Sequence, residues 1–289
     1  MVSAPEMACY LCGGLSHHRR PGRVRDAEDL DILECDSCGL VFLSRTHLHK
    51  GFYEQSGMHG GDPQPVDAWL RETDRDDERR YRYLIAAITN RDVLDFGCGV
   101  GGFLLKARSL ARRVVGIELE ERLRLHHNNA NGLDVYGALG EMVEGECFDL
   151  IAAFHVIEHL EDPAGMLRLL ATRLRTGGKI VIEVPSSADA LLTLYENVPF
   201  SEFTYWSCHP YLFNASNLQL LAKRAGLKLE YVSHIQRYPL SNHLHWLARG
   251  LPGGHQAWSF MDSDELSRAY EARLASLGMT DTLIASFRL

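Results

Sequence analysis

From Arg91 onward the chain alternates short apolar runs with stretches of helical periodicity. Runs at Asp92–Phe96 (DVLDF), Arg113–Ile117, 133–136, 149–154 (DLIAAF), 179–184 (KIVIEV), 227–232 and 282–287 (TLIASF) predict seven strands. A glycine pair, Gly177 and Gly178, predicts a turn just ahead of the fifth. Helices fit at 102–111, 120–131, 163–174 and Ala215–Ala225, the last with Asn214 or Ser216 as cap and Gly226 as stop signal. Residues 262–277 also read as a helix, with Asp262 and Glu265 at capping-box spacing and Gly278 behind it. This alternation predicts a doubly wound, mainly parallel α/β sheet.

The first ninety residues read differently. Residues 1–50 carry two close cysteine pairs, a basic loop and few periodic runs. Residues 51–90 are polar, and a charged stretch at 71–82 predicts a linking helix whose charges form a solvated face. The expected organisation is a metal-binding segment at 1–50, a helical linker at 51–90 and one ligand-binding domain at 91–289. The formal charge of -8 argues against binding an extended polyanion. No apolar run approaches the roughly 20 residues of a membrane span. The start, MVSAPEMACYLCGG, lacks the basic and apolar regions of a secretory signal, so a cytoplasmic location is expected.

The strongest local signal is VLDFGCGVGGF, residues 93–103, where a strand enters a glycine-rich turn and then a helix. Such a turn lets backbone approach a ligand closely. By itself it also fits a dinucleotide fingerprint through Gly97, Gly99 and Gly102. Three features move the choice. Asp95 would repel a pyrophosphate and suits a ligand with a cationic amine and a sulfonium. Glu118 ends the second strand, about 20 residues later, where a carboxylate can hold both ribose hydroxyls. The fourth strand runs into FHVIEHLEDP, residues 154–163, placing polar groups at the carboxyl end of a central strand.

Together with GIELEE and LRTGGKIVIEVP, these segments resemble the class I S-adenosylmethionine-dependent methyltransferases over residues 80–232. The resemblance implies a Rossmann-like sheet of seven strands whose last pair is antiparallel. It implies that Asp95, Gly97, Cys98, Gly99 and Gly101 line the methionine moiety. It places Glu118 on the ribose, Leu119 beside the adenine, and Phe154 and His155 near the sulfonium. Residues 233–280 then form an insertion between the last two strands, read either as a substrate cap or as a helical pair with its own small core.

Cys9-x2-Cys12 and Cys35-x2-Cys38 can place four thiolates on one tetrahedral zinc ion, a closed and therefore structural site. This zinc-ribbon-like segment ahead of a methyltransferase is similar to sugar methyltransferases of natural-product and surface-glycan pathways. The chain lacks the additional C-terminal domain of the longer sugar C-methylating members, which favours O-methylation of a sugar or glycan precursor. RNA, N- or C-methylation stays open, as does a non-catalytic interaction protein that binds the cofactor. The basic loop HHRRPGRVR, residues 17–25, is read as a solvated loop or as a contact to a phosphate- or nucleotide-linked sugar. An oxygen nucleophile needs a base, and His159, His209 and His155 are the candidates. Tyr205 and Trp206 are read as an aromatic wall or as core. His243 and His245 are weaker candidates, Glu183 is expected to face a helix, and Cys147 and Cys208 have no assigned partner. The oligomeric state is open.

Overall fold

The computed structural model describes residues 7–45, 54 and 64–289. The described residues form eleven strands: β1 His17–Arg19, β2 Ile32–Cys35, β3 Val41–Leu43, β4 Asp92–Phe96, β5 Arg113–Ile117, β6 Asp134–Tyr136, β7 Phe148–Phe154, β8 Leu174–Pro185, β9 Tyr211–Leu212, β10 Lys228–Ile235 and β11 Thr282–Arg288. The α-helices are α1 Val66–Ile88, α2 Gly102–Ala107, α3 Glu121–His126, α4 Pro163–Ala171, α5 Ala190–Thr193, α6 Val198–Thr204, α7 Ala215–Ala225, α8 Leu240–Arg249, α9 Gly254–Ala257 and α10 Asp264–Leu277. Seven strands form one sheet in the order β10-β11-β8-β7-β4-β5-β6, with one antiparallel pair. This is the Rossmann-like arrangement expected from the sequence. A second sheet has the order β1-β2-β3-β9, and each neighbouring pair is antiparallel.

The chain divides into two compact units: residues 1–47, 157–164 and 183–285, and residues 48–156, 165–182 and 286–289. In the second, β4 lies in parallel register between β5 and β7, with Val93 opposite Val114 on one side and Leu150 on the other. Val93, Leu94, Val115, Leu150 and Ile151 are fully buried, as expected of a strand covered on both faces. Helix α1 packs on α2. In the first unit, Val24, Leu30, Ile32, Val41, Leu43, Tyr205 and Leu212 form one apolar cluster beneath the small sheet. Among the described residues, no helix is long and apolar enough to cross a membrane.

Several local expectations change. The Gly177–Gly178 pair does not end a turn, because β8 runs through it from Leu174 and only Gly177 takes a left-handed φ of 80°. The expected helix at 120–131 is α3 followed by a π-helical turn at His127–Asn131. Ser263, not Asp262, caps α10, its side chain accepting from the Leu266 amide. Asp262 instead accepts from the Ser241 hydroxyl at 2.5 Å. The charged stretch 71–82 lies in α1 but is not wholly solvated: Asp77 and Arg80 are buried and paired at 3.2 Å. Part of the expected 51–90 linker, 51–53 and 55–63, lies outside the described residues.

Candidate functional site

The glycine-rich turn after β4 shows what its residues are for. Gly97, Gly99 and Gly101 all have positive φ, from 52° to 78°, which side chains rarely tolerate. A Cβ on Gly101 would sit 2.6 Å from His127 Cε1, so that position has no room for one. A Cβ on Gly99 would meet nothing within 4 Å. A Cβ on Gly97 would run into Val156 Cγ2, so the turn is tightly packed at Gly97 and Gly101 and open at Gly99.

Two carboxylates border this turn. Glu118 follows β5, and its Oε2 accepts from the Gly99 amide at 2.8 Å while Oε1 accepts from the Glu120 amide at 2.8 Å. Burial raises its pKa, against the pull of those amides. Asp95, in β4, is 3% exposed, and its Oδ1 is buried without a hydrogen-bond partner among the described residues. Burial pushes its pKa up to about 8; Arg80 pulls it down, and the carboxylates of Asp77 and Glu118 add to the rise. A buried carboxylate oxygen left unmatched costs on the order of 1–3 kcal/mol or more, and a cationic ligand would supply the missing partner. Leu119, next to Glu118, is 43% exposed and can offer an apolar surface to a flat ring. Cys98 is buried, and burial holds its thiol well above the usual range, so it packs as a small hydrophobe. Phe154 packs edge-on against Phe103 with centroids 5.0 Å apart. His155 follows with φ 54°, the left-handed conformation that non-glycine residues adopt sparingly and often at functional sites.

Three residues of this region escape sequence reasoning. The His127 Nε2–H donates to the Gly99 carbonyl at 2.9 Å, and burial lowers its pKa. Its position depends on the π-helical turn, a device common at functional sites but without a sequence signature. Arg80 lies over the Phe154 ring at 4.8 Å and pairs with Asp77. The Asp77 carboxyl fills the space that a Cβ on Gly102 would need, so α1 and the turn close on each other through these two residues. Their only sequence signal is two charges three residues apart within a long charged stretch.

In the first unit, the four cysteines converge. Their sulfurs lie within 4.8 Å of one another, with Cys9 Sγ 3.6 Å from Cys38 Sγ and Cys12 Sγ 3.5 Å from Cys35 Sγ. All four are free, and sulfurs around one zinc ion stand about 3.8 Å apart. The two knuckles match: Gly13 and Gly39 each take a left-handed φ and return an amide to the carbonyl of the first cysteine, Cys9 or Cys35. Burial raises the Cys35 thiol, but the Cys38 and Ser37 amides and neighbouring thiols bring it down to about 7. The donor set fits a closed tetrahedral zinc site.

The same unit brings together His159 and His209, fifty residues apart in sequence, with ring centroids 4.5 Å apart. Trp206 stands edge-on to both, at 6.3 and 5.4 Å. The third candidate base, His155, belongs to the other unit. Tyr205 is 1% exposed and belongs to the apolar cluster, so it is core rather than wall. Glu183 is fully buried. His243 is held between Gln236 and the Tyr270 hydroxyl, and burial lowers its pKa to about 4. That makes it a structural neutral ring. His245 bonds the Leu251 carbonyl through Nδ1 at 2.8 Å.

A cavity of about 450 Å³ in this unit is lined by Arg23 and Arg25 of the basic loop, Phe203, Glu202, and Trp246 and Pro252 of the 233–280 segment, among others. Arg23 pairs with Glu202 at 2.8 Å. The Arg25 guanidinium lies 4.0 Å from the Trp206 ring centroid and 5.7 Å from that of Phe203. In the same loop Arg19 pairs with Asp31, and Arg20 with Glu34.

Comparison with known proteins agrees with this geometry. A family model described as a methyltransferase domain matches residues 71–232. A probable S-adenosylmethionine-dependent methyltransferase of Mycolicibacterium smegmatis is 30% identical over 153 residues, covering 52% of this chain and 57% of that protein. A ubiquinone biosynthesis O-methyltransferase of Aeromonas salmonicida is 30% identical over 169 residues, 52% of this chain and 68% of that protein. The chain thus spans little more than half of the first relative. Among solved structures, the complex between the Haloferax volcanii Trm112 methyltransferase activator and a methyltransferase contains a chain with TM-score 0.50 and 18% identity, covering 78% of this chain and 98% of that one. That likeness is one of fold.

Proposed function

The chain belongs to the methyltransferase domain family, and we propose that it transfers a methyl group from S-adenosylmethionine to a hydroxyl of a small molecule, a sugar or glycan precursor. The observation that carries the cofactor reading is Asp95. Its unmatched, buried Oδ1 beside the open Gly99 turn calls for a cationic partner, which the amine of the methionine moiety supplies. A pyrophosphate would meet the same carboxylate with repulsion, which disfavours a dinucleotide. In this reading Asp95, Gly97, Cys98, Gly99 and Gly101 border the methionine moiety. Glu118 takes the ribose hydroxyls, Leu119 lies against the adenine, and Phe154 and His155 border the sulfonium.

The sulfonium is already a strong leaving group, so the protein contributes alignment and a place for the acceptor's proton. His159 suits that role. Its Nδ1–H donates to the Cys208 carbonyl at 2.9 Å, which leaves the lone pair on Nε2. His209, beside it, is the second candidate. The 233–280 segment acts as the acceptor's cap. A phosphate on the acceptor is supported by Arg25, which lines the cavity, donates to the Phe203 carbonyl at 3.4 Å and pairs with no carboxylate among the described residues. The other arginines of the loop already face carboxylates, which disfavours an extended RNA surface. The oxygen acceptor is also in keeping with the ubiquinone biosynthesis relative. One structural zinc on Cys9, Cys12, Cys35 and Cys38 completes the proposal.

The test is methyl transfer from labelled S-adenosylmethionine to a panel of nucleotide-linked hexoses, with bulk RNA in parallel. Transfer to a hexose, with an acceptor KM about tenfold higher in Arg25→Ala and cofactor affinity unchanged, is the expected result. Transfer to RNA alone would overturn the acceptor assignment while leaving the cofactor assignment standing.

A further inference from the structure

We propose that His159, Cys208 and His209 form a second metal site, separate from the four-cysteine cluster, that holds a zinc ion with one coordination position left for an exogenous oxygen or nitrogen ligand. Their ligand atoms lie within 4.8 Å of one another. Tetrahedral zinc keeps nitrogen and sulfur ligands about 3.3–3.8 Å apart, so modest side-chain rotation closes the set. Imidazole and thiolate together suit zinc, and three protein ligands with an open fourth position are the arrangement of reactive zinc sites.

The surroundings match that use. Metal-bound histidines usually donate their other ring N–H to a backbone carbonyl, which fixes ring and tautomer. The His159 Nδ1–H makes that bond to the Cys208 carbonyl, so its Nε2 is the nitrogen that can ligate. One ligand is thus oriented by the backbone of another. His159 and Cys208 are buried, and Trp206 stands edge-on to both imidazoles. Burial is the main cause that raises the Cys208 thiol, with the carboxylates of Asp26 and Glu158 adding and Arg25 opposing, so an ion bound there must displace the thiol proton. With an ion bound, the His159 lone pair no longer serves as the base proposed above; a hydroxyl at the fourth position would instead lose its proton to solvent more readily. The site does not depend on the methyl-transfer assignment.

The experiment is a metal count. The full chain, as isolated, is equilibrated with excess cobalt(II), passed through gel filtration, and its zinc and cobalt are summed per chain. The wild type is expected to hold one ion more than His209→Ala, and Cys208→Ser is expected to lose the part of the thiolate-to-cobalt absorption that the four-cysteine cluster does not supply, while keeping the wild-type circular dichroism. Because the reading is a difference, failure of the four-cysteine cluster lowers both counts equally and leaves the test intact. Equal counts in wild type and His209→Ala, or unchanged absorption in Cys208→Ser, would overturn the site.

Discussion

The Glu118 carboxylate accepts a hydrogen bond from the Gly99 amide at 2.8 Å, which ties the turn after β4 to the residue that follows β5. Charge-assisted bonds of this kind contribute about 1.5–3 kcal/mol. Glu118→Ala is therefore expected to weaken S-adenosylmethionine binding by about 10–100-fold, through a loosened turn and a lost ribose contact. Titration calorimetry measures this, with far-UV circular dichroism showing that the fold persists. Unchanged affinity would remove Glu118 from the site.

Gly101 combines φ 73° with a Cβ position 2.6 Å from the His127 ring. Gly101→Ala is expected to destabilise the protein by about 1–3 kcal/mol in urea unfolding. Part of that cost is the clash with His127, so the Gly101→Ala/His127→Ala pair should be less destabilised than the sum of the single changes. Strict additivity would show that backbone strain alone carries the cost.

Asp95 makes a pH prediction. Its pKa in the folded, ligand-free protein is about 8, against an ordinary value near 4, so between those values the folded state keeps a proton that the unfolded chain has released. Its contribution to stability therefore falls as pH rises and levels off above pH 8. His127, lowered by burial, acts below its ordinary pKa near 6.5 and does not enter a window from pH 7 to 9. Across that window the ligand-free wild type should lose more stability than Asp95→Asn. Thermal melting of both proteins checks this, and parallel curves would contradict the unmatched state of the carboxyl.

The four-cysteine cluster predicts one tightly held zinc that Cys35→Ser releases. Elemental analysis of the wild type and Cys35→Ser checks this as a difference of one zinc per chain, whatever the His159, Cys208 and His209 group holds. Zinc bound by a folded site is folding free energy, so its removal should lower the melting temperature by several degrees or more. Zinc-free protein of unchanged stability would reduce the cluster to four ordinary thiols.

The sequence was most informative where one local rule decides the outcome. DVLDF and RVVGI are short, mainly apolar runs broken only by Asp92, Asp95 and Arg113, and β4 and β5 have the expected bounds. Asn214 and Gly226 punctuate α7 as expected, with Asn214 and Asn217 capping each other. Less was legible where tertiary contact decides. The strands β1, β3 and β9 have three residues or fewer, too short for a period-2 pattern, and β9 joins the small sheet from more than 160 residues away. Asp77 and Arg80 read as solvated because only the packing of α1 buries them. The meeting of His159 with His209 depends on how the chain returns through YWSCHPYLF, which no spacing announces.

The most direct test is calorimetric titration of the ligand-free protein with S-adenosylmethionine and S-adenosylhomocysteine, with NAD as the control and Asp95→Asn in parallel. The account predicts micromolar binding of both sulfur ligands, none of NAD, and a loss of at least tenfold in affinity in Asp95→Asn. Well-folded protein that binds neither sulfur ligand, or that binds NAD instead, would contradict it.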